Sequence, residues 1–389
     1  MSLETPQHST RSDHRSPTTN EEPIEMDLKT LGWNSFFHQH FEPYREQGLL
    51  PARVSSQHRE AYRICCAEGE LIASVPARFR DGIESPVDFP TVGDWVAVQI
   101  PGDTDPASIC AVLPRQSKFA RRAAGDYDVE QLIAVNVDVL FLVNGLDGDF
   151  NIRRIERYVA LAWDSGSNPV VLLNKADLCD DVEARIEQVE AIAIGLSVLP
   201  VSAETGDGLD EMMAYLPTGT TAALVGSSGV GKSSIVNRLL GKQHLAVNAV
   251  REDDHRGRHT TSHRELLVIP GGGLIIDTPG MRELRMWGDD TGLQEVFGDV
   301  EELASTCRFG DCTHQHEPGC AVQAAITRTE LDPGRLHSYL SMKREFTRLA
   351  RKRKPKEGRM NKEEKRRDMR RSRHATRSRL GTEREEGER

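Results

Sequence analysis

The chain has 389 residues, a length that favours two or three domains over one. It has no run of about 18 apolar residues and no hydrophobic N-terminal stretch, which excludes a membrane-spanning helix and a secretory signal and reads as a soluble, cytoplasmic protein. The net charge of −10 conceals a polarity: residues 343–389 hold 20 Lys/Arg against 9 Asp/Glu, net +11, and residues 1–342 the remaining 30 against 51, net −21, so the basic end is the candidate for nucleic acid.

Residues 1–26 are rich in Ser, Thr, Pro, Glu and His and have too little apolar surface to offset ordering, so they read as a disordered leader. Leu28, Leu31, Trp33, Phe36, Phe37 and Phe41 predict a short helix that packs on the segment after it. Within 27–120, short runs such as Tyr62-Arg63-Ile64-Cys65, Glu70 to Val75 and Asp94 to Val98 alternate with Gly, Pro and Asp turns and predict a small antiparallel β-barrel of OB-fold type. Such a barrel offers a face for RNA, although an SH3-like or purely structural barrel has the same pattern. Arg115, Lys118, Arg121 and Arg122 come after it, as phosphate contacts or as a solvated linker.

Over 130–285 the pattern changes to alternating strands and helices, which predicts an α/β domain with a mainly parallel sheet and functional loops at the carboxyl ends of strands. Val137 to Val143, Val170 to Leu173 and Val198 to Val201 read as strands, and Ile152 to Trp163 and Val182 to Ile194 as helices. The apolar run Ala222-Ala223-Leu224-Val225 then leads into Gly226-Ser227-Ser228-Gly229-Val230-Gly231-Lys232-Ser233, a complete P-loop, and a helix from Ser234 to Leu240. Its glycines let backbone N–H groups converge on phosphate oxygens at a helix N-terminus. Lys232 is placed to reach the β and γ phosphates and Ser233 to ligate Mg²⁺. Two further strands, Glu265 to Ile269 and Leu274 to Ile276, flank the turn Pro270-Gly271-Gly272-Gly273.

Asn174-Lys175-Ala176-Asp177, after a buried strand, reads as a guanine-selecting loop. An ionised Asp177 only accepts hydrogen bonds, so it pairs with the N1–H and N2–H₂ donors of guanine and finds no such pair on adenine. Asn174 then braces the loop, Lys175 lies along the base, and the backbone at Ser202 and Ala203 closes over O6. Asp277-Thr278-Pro279-Gly280 ends the last strand, with Asp277 a candidate to hold Mg²⁺ and the Gly280 N–H a sensor of the γ-phosphate. Between the P-loop and Asp277, residues 251–262 read as a switch in which Thr260 or Thr261 completes the Mg²⁺ shell. Met281 stands where many GTPases have a water-orienting glutamine, and His259 is the candidate replacement. The base-reading loops precede the P-loop, so the motif order is circularly permuted. The rivals to a GTPase are a GTP-regulated RNA-binding module whose hydrolysis is incidental and a metabolic P-loop kinase, the latter disfavoured by the Asn174 to Asp177 loop.

Residues 286–350 hold Cys307-x₄-Cys312-x-His314-x₅-Cys320, three thiolates and an imidazole that suit one closed, structural Zn²⁺ site, with His316 a rival ligand. Helical segments complete this domain, and 351–389 is a basic tail expected to be disordered or to fold on a partner.

Together these features resemble the RsgA (YjeQ/YloQ) family of ribosome small-subunit-dependent, circularly permuted GTPases. The resemblance covers residues 50–345 and rests on the motif order, Gly257-Arg258-His259-Thr260-Thr261, Asp277-Thr278-Pro279-Gly280 with an apolar residue after it, and the Cys/His spacing ending in Glu317-Pro318-Gly319-Cys320. It implies an OB-fold, a permuted GTPase and a zinc domain, and GTP hydrolysis stimulated by the small ribosomal subunit late in that subunit's maturation; the chain itself is expected to be a monomer. It further implies rRNA contacts from both flanking domains, phosphate binding extending to Ser234, and His259 as the catalytic histidine. The family's third threonine is Ser262 here, which keeps the hydroxyl, and the long leader and basic tail fall outside the resemblance.

Overall fold

The computed structural model describes residues 27–58, 61–83, 85–102, 106–122, 130–241, 264–278 and 291–353. The leader, the 251–262 segment with His259, Thr260 and Thr261, the Gly280 and Met281 positions and the tail beyond 353 lie outside them.

The first helix, α1 (Ser35–Arg45), starts later than the apolar pattern suggests. Residues 27–33 form turns, with Gly32 at φ +88°, and the Asn34 side chain then caps the helix by accepting from the Phe36 and Phe37 N–H groups. Trp33 still packs, edge-on to Trp95 with ring centroids 4.7 Å apart. The strands β1 (Leu50–His58), β2 (Ala61–Cys66), β3 (Gly69–Ser74), β4 (Trp95–Gln99) and β5 (Ala107–Val112), with the single-turn α2 (Ala77–Arg80) after β3, close in the order β1-β2-β3-β5-β4 with β4 back on β1. β3 and β5 run parallel and the other neighbours antiparallel. This closed five-stranded barrel, filled by Ala52, Val54, Ile64, Ala73, Val96, Val98 and Ile109, has the OB architecture.

A hairpin of β6 (Lys118–Arg122) and β7 (Glu130–Val135) leaves the barrel. The reading of Arg115 as a free phosphate ligand is overturned here, because Arg115 grips the fully buried Asp94 with Nε and Nη2, both at 2.7 Å, and donates from Nη1 to the Val87 carbonyl. Lys118 pairs with Glu130, and Arg121 donates to Gln131.

The central domain runs β8 (Val139–Gly145), α3 (Ile152–Trp163), β9 (Asn168–Asn174), α4 (Val182–Glu190), β10 (Ser197–Pro200), α5 (Leu209–Met213), β11 (Thr221–Val225), α6 (Lys232–Leu239), β12 (Glu265–Val268) and β13 (Leu274–Asp277). Its strands lie in the order β10-β9-β8-β11-β13-β12, parallel except for β12. The continuous apolar runs of β8 and β11 are buried along their whole length, as helices on both faces of a parallel sheet require. β12 also pairs with β1 at Ser56 and Glu265, so barrel and central sheet are one eleven-stranded sheet. Arg53 rivets the same junction: 1% exposed, it donates to the carbonyls of Leu31, Gly93 and Asn136 and to the Thr221 hydroxyl.

Beyond the sheet the described chain forms α7 (Thr291–Val296), α8 (Gly298–Ser305), α9 (Ala321–Thr327) and α10 (Pro333–Arg353). Of these, α7 and α10 pack on the outer side of α3, with α8 against α7 and α9, which explains why α3 buries residues on both faces, Glu156 among them. Gly292 marks the closest approach, since a Cβ there would lie 2.0 Å from the Ala160 carbonyl oxygen. Among the described residues, no helix is long and apolar enough to cross a membrane.

Candidate functional site

The carboxyl ends of β8, β9, β11 and β13 converge on one edge of the central sheet, and the loops leaving them form the site. β11 ends at Val225 and the chain turns through Gly226 to Gly231 into α6. Gly226 lies against β8, where a Cβ would come 2.3 Å from the Val143 carbonyl oxygen. Gly229 and Gly231 adopt φ +86° and +95°, a region costly to other residues. This turn aims the first N–H groups of α6 at the space an anion would fill.

Lys232 is 6% exposed and its ammonium donates to the carbonyls of Gly226 (2.9 Å) and Ser227 (2.8 Å). Burial pushes its pKa down to about 8 against the opposing pull of Asp277. Asp277, at the end of β13, is 1% exposed, and the Thr278 hydroxyl donates to the Leu224 carbonyl and ties β13 to β11. A buried carboxylate facing the Lys232 charge, with the Ser233 hydroxyl at the start of α6, is a donor set that fits a hard divalent cation beside phosphate.

Asn174, at the end of β9 and 1% exposed, connects three loops. Its Nδ2 donates to the Val230 carbonyl of the P-loop at 2.7 Å, and its Oδ1 accepts from the Ala203 N–H at 3.1 Å. The loop then turns at Lys175, which has φ +65°, and the Ala176 N–H donates to the Val201 carbonyl. Asp177 accepts from the Ser202 hydroxyl at 2.6 Å, which fixes its carboxylate beside the loop after β10. The structure therefore brings Asn174, Lys175, Asp177, Ser202, Ala203, the P-loop and Asp277 to a single edge, while His259, Thr261 and Gly280 belong to the segments not described.

Two residues of the site escaped the sequence reading. Asp147 and Asp149 occupy the turn after β8, and their position at the carboxyl end of a buried strand was the available signal. Asp147 accepts from the Lys175 ammonium at 2.5 Å, and although burial alone raises its pKa, this contact and local backbone N–H groups hold it below its ordinary value. Asp149 accepts from the Ser227 hydroxyl at 3.0 Å and pairs with Arg154 of α3 at 2.8 Å.

The second cluster lies between α8 and α9. The donor atoms of Cys307, Cys312, His314 and Cys320 all fall within 4.8 Å of one another. Nδ1 of His314 is 3.6 Å from the sulfurs of both Cys307 and Cys320, and those sulfurs are 3.9 Å apart. Tetrahedral Zn–S bonds of about 2.3 Å and a Zn–N bond of about 2.0 Å require S···N near about 3.5 Å and S···S near about 3.8 Å, so the four residues fit zinc. His314 at φ +56° turns its ring inward, and His316 takes no place in the cluster. Glu317 folds the knuckle: its carboxylate accepts from the Thr313 side chain and the N–H groups of Thr313, Gln315 and His316, and the Thr313 bonds above all hold its pKa down to about 2.

Residues 112–287 match the family model described as RsgA GTPase. The chain is 47% identical over 336 residues to the small ribosomal subunit biogenesis GTPase RsgA of Opitutus terrae, covering 84% of this chain and 92% of that one. It is 46% identical over 303 residues to small ribosomal subunit biogenesis GTPase RsgA 2 of Lactiplantibacillus plantarum, covering 78% and 85%. Among solved structures it is similar to YjeQ from Thermotoga maritima, with TM-score 0.55 and 26% identity over 77% of this chain and 99% of that one. The circularly permuted GTPase YloQ shares the fold, with TM-score 0.54 and 23% identity over 79% and 97%.

Proposed function

The chain belongs to the RsgA family of small ribosomal subunit biogenesis GTPases, and from that premise we propose how its own residues bind GTP, hydrolyse it to GDP and phosphate, and couple this to late maturation of the small subunit. The observation that carries the reading is Asn174, whose one side chain joins the P-loop at Val230 to the loop at Ala203 and so makes a single pocket of remote stretches of sequence.

In that pocket Asp177 accepts from the N1–H and N2–H₂ groups of guanine and rejects adenine, which offers no matching donor pair. Lys175, tethered by Asp147, lays its aliphatic stem along the base, and the backbone at Ser202 and Ala203 closes over O6. The N–H groups of the loop from Gly226 to Gly231, with Ser233 and Ser234 at the start of α6, wrap the phosphates, and Lys232 compensates their charge. Ser233 and Asp277, with Thr260 or Thr261, are the residues to hold Mg²⁺, which when bound neutralises the β and γ oxygens. The Gly280 N–H senses the γ-phosphate, and His259 positions the attacking water in place of the glutamine that Met281 replaces.

Cys307, Cys312, His314 and Cys320 hold one structural zinc, since four protein ligands leave no open position for chemistry. The barrel and the zinc-bearing region contact rRNA on either side of the GTPase, in a cytoplasmic protein that acts as a monomer.

The test is GTP turnover measured alone, with purified small subunits and with large subunits. Strong stimulation by small subunits alone is expected, and His259→Ala then lowers the stimulated rate about 10²-fold with little loss of GTP binding. Turnover indifferent to subunits, together with nucleotide-dependent binding to them, would instead make hydrolysis incidental to RNA binding. Binding unchanged by Asp177→Ala would remove the guanine reading.

A further inference from the structure

Among the described residues, helix α3 touches both the phosphate loop and the C-terminal helices through charged groups. At its N-terminal end, Asn151 caps the helix by accepting from the Arg153 and Arg154 N–H groups. Within the first turn, Arg154 pairs with the Asp149 carboxylate, which also accepts from the Ser227 hydroxyl of the P-loop. Tyr158 is buried on the same helix. The P-loop is thus linked to the first turn of α3 through Asp149.

On its opposite side α3 carries Glu156, which has no exposed surface. Its Oε1 accepts from Arg153 at 2.6 Å and from Arg335 of α10 at 3.1 Å, and its Oε2 has no hydrogen-bond partner among the described residues. Arg335 is itself locked from every direction. It grips Asp299 of α8 through two bonds of 2.7 and 2.8 Å, donates to the Val296 carbonyl of α7 at 2.7 Å, and lies 4.9 Å over the Phe297 ring. Arg153 bonds Asp332 just before α10, and Arg157 bonds Glu345 within it at 2.8 Å.

Parting a carboxylate that is fully removed from water from its cationic partners leaves a buried charge uncompensated and is strongly destabilising. Glu156 therefore fixes α3 and α10 in one mutual position, and any shift of one without the other breaks that pairing. We propose that Arg335 and Glu156 are positioning residues for the nucleotide site, acting on the P-loop through α3 and Asp149, so that docking of the zinc-bearing region and nucleotide retention are energetically coupled. This route is separate from the covalent connection through residues 279–290, and it rests on the reading of the P-loop as a GTP site. The coupling is reciprocal: nucleotide in the site stabilises the docking of α10 as much as docking stabilises nucleotide.

The test uses the full zinc-loaded chain and measures release of a fluorescent GDP analogue by stopped flow from wild type, Glu156→Gln, Asp149→Asn and the double variant. Glu156→Gln is expected to speed release about fivefold, a typical coupling for two sites, and to add nothing in the Asp149→Asn background. Amide exchange in the first turns of α10 is expected to slow when GDP is added to wild type, but not to Asp149→Asn. Zinc content and thermal melting report whether the variants are folded. Where Glu156→Gln loses zinc, Asp332→Asn, which cuts only the exposed pair to Arg153, is read in the same assay and is expected to speed release in the same direction. Unchanged release with zinc retained, or effects of the two substitutions that simply multiply, would overturn the coupling. Failure of the wild type to retain guanine nucleotide at all would count against the GTPase reading instead.

Discussion

Replacing Asn174 by Ala tests the pocket at its centre. The side chain makes two hydrogen bonds in a position 1% exposed, one to the Val230 carbonyl and one from the Ala203 N–H. Losing it strands the carbonyl of Val230, a residue also 1% exposed, at about 1–3 kcal/mol, and the half-buried Ala203 N–H at about 1 kcal/mol more. Both groups lie in loops that form the pocket, so a loss of about 2–4 kcal/mol falls on the bound state and weakens GDP binding by about 30-fold to about 700-fold. Asn174→Asp sharpens the test, because it keeps the acceptor for Ala203 but sets a carboxylate oxygen against the Val230 carbonyl, and it should be no better than Ala. Titration with a fluorescent GDP analogue gives the affinities, and thermal denaturation shows whether the fold survives. Wild-type affinity in a folded Asn174→Ala protein would refute the idea that this side chain assembles the site.

Lys232 titrates near 8 in the free protein, and phosphate needs its charged form, so raising pH from 7 to 8.5 should weaken GDP binding about fourfold. The same depressed pKa means that the unfolded chain holds the extra proton between about 8 and 10.5, so this group's contribution to stability rises with pH across that window, and affinity and stability should move oppositely in titration and melting experiments. Cys320→Ser, or chelation, should melt the α9 and α10 region while leaving the barrel folded, since Cys320 also caps α9 by accepting from the Gln323 N–H; a circular-dichroism loss confined to helix checks this. Arg115→Ala should destabilise the protein by about 3–5 kcal/mol by stranding the buried Asp94, with no change in GDP affinity in the same titration.

The nucleotide loops were legible in the sequence because each needs fixed residue types next to a buried apolar strand: glycines where φ is positive, an acceptor-only Asp177, an amide at Asn174 that both donates and accepts. The zinc ligands were legible for the same reason, since soft donors at short spacing have few other uses. Spacing did not separate His314 from His316 by itself; the inward ring of His314 did. Arg115 misled because an arginine destined for a buried carboxylate twenty-one residues earlier looks in sequence like one destined for phosphate. β1 is faint in sequence because only Ala52 and Val54 of its residues fill the barrel, while Arg53 between them points out into the junction. Asp147 and Asp149 showed only their place after a buried strand, and Glu156 gave no sequence signal of its own, as their partners, Lys175, Ser227 and Arg335, are distant in the chain.

The pairing of β12 with β1 has a consequence for how the molecule can be divided. β12 is the last strand of the central sheet, and β1 lies alongside it at the end that leads out of the switch segment. Trimming away the barrel would bare that strand's backbone donors and acceptors as a template for another copy, the usual origin of edge-to-edge association. It would also leave the Thr221 hydroxyl and the Asn136 carbonyl without the guanidinium that bonds both. The catalytic unit is therefore not a detachable cassette: its sheet is finished by a module that precedes it in the chain.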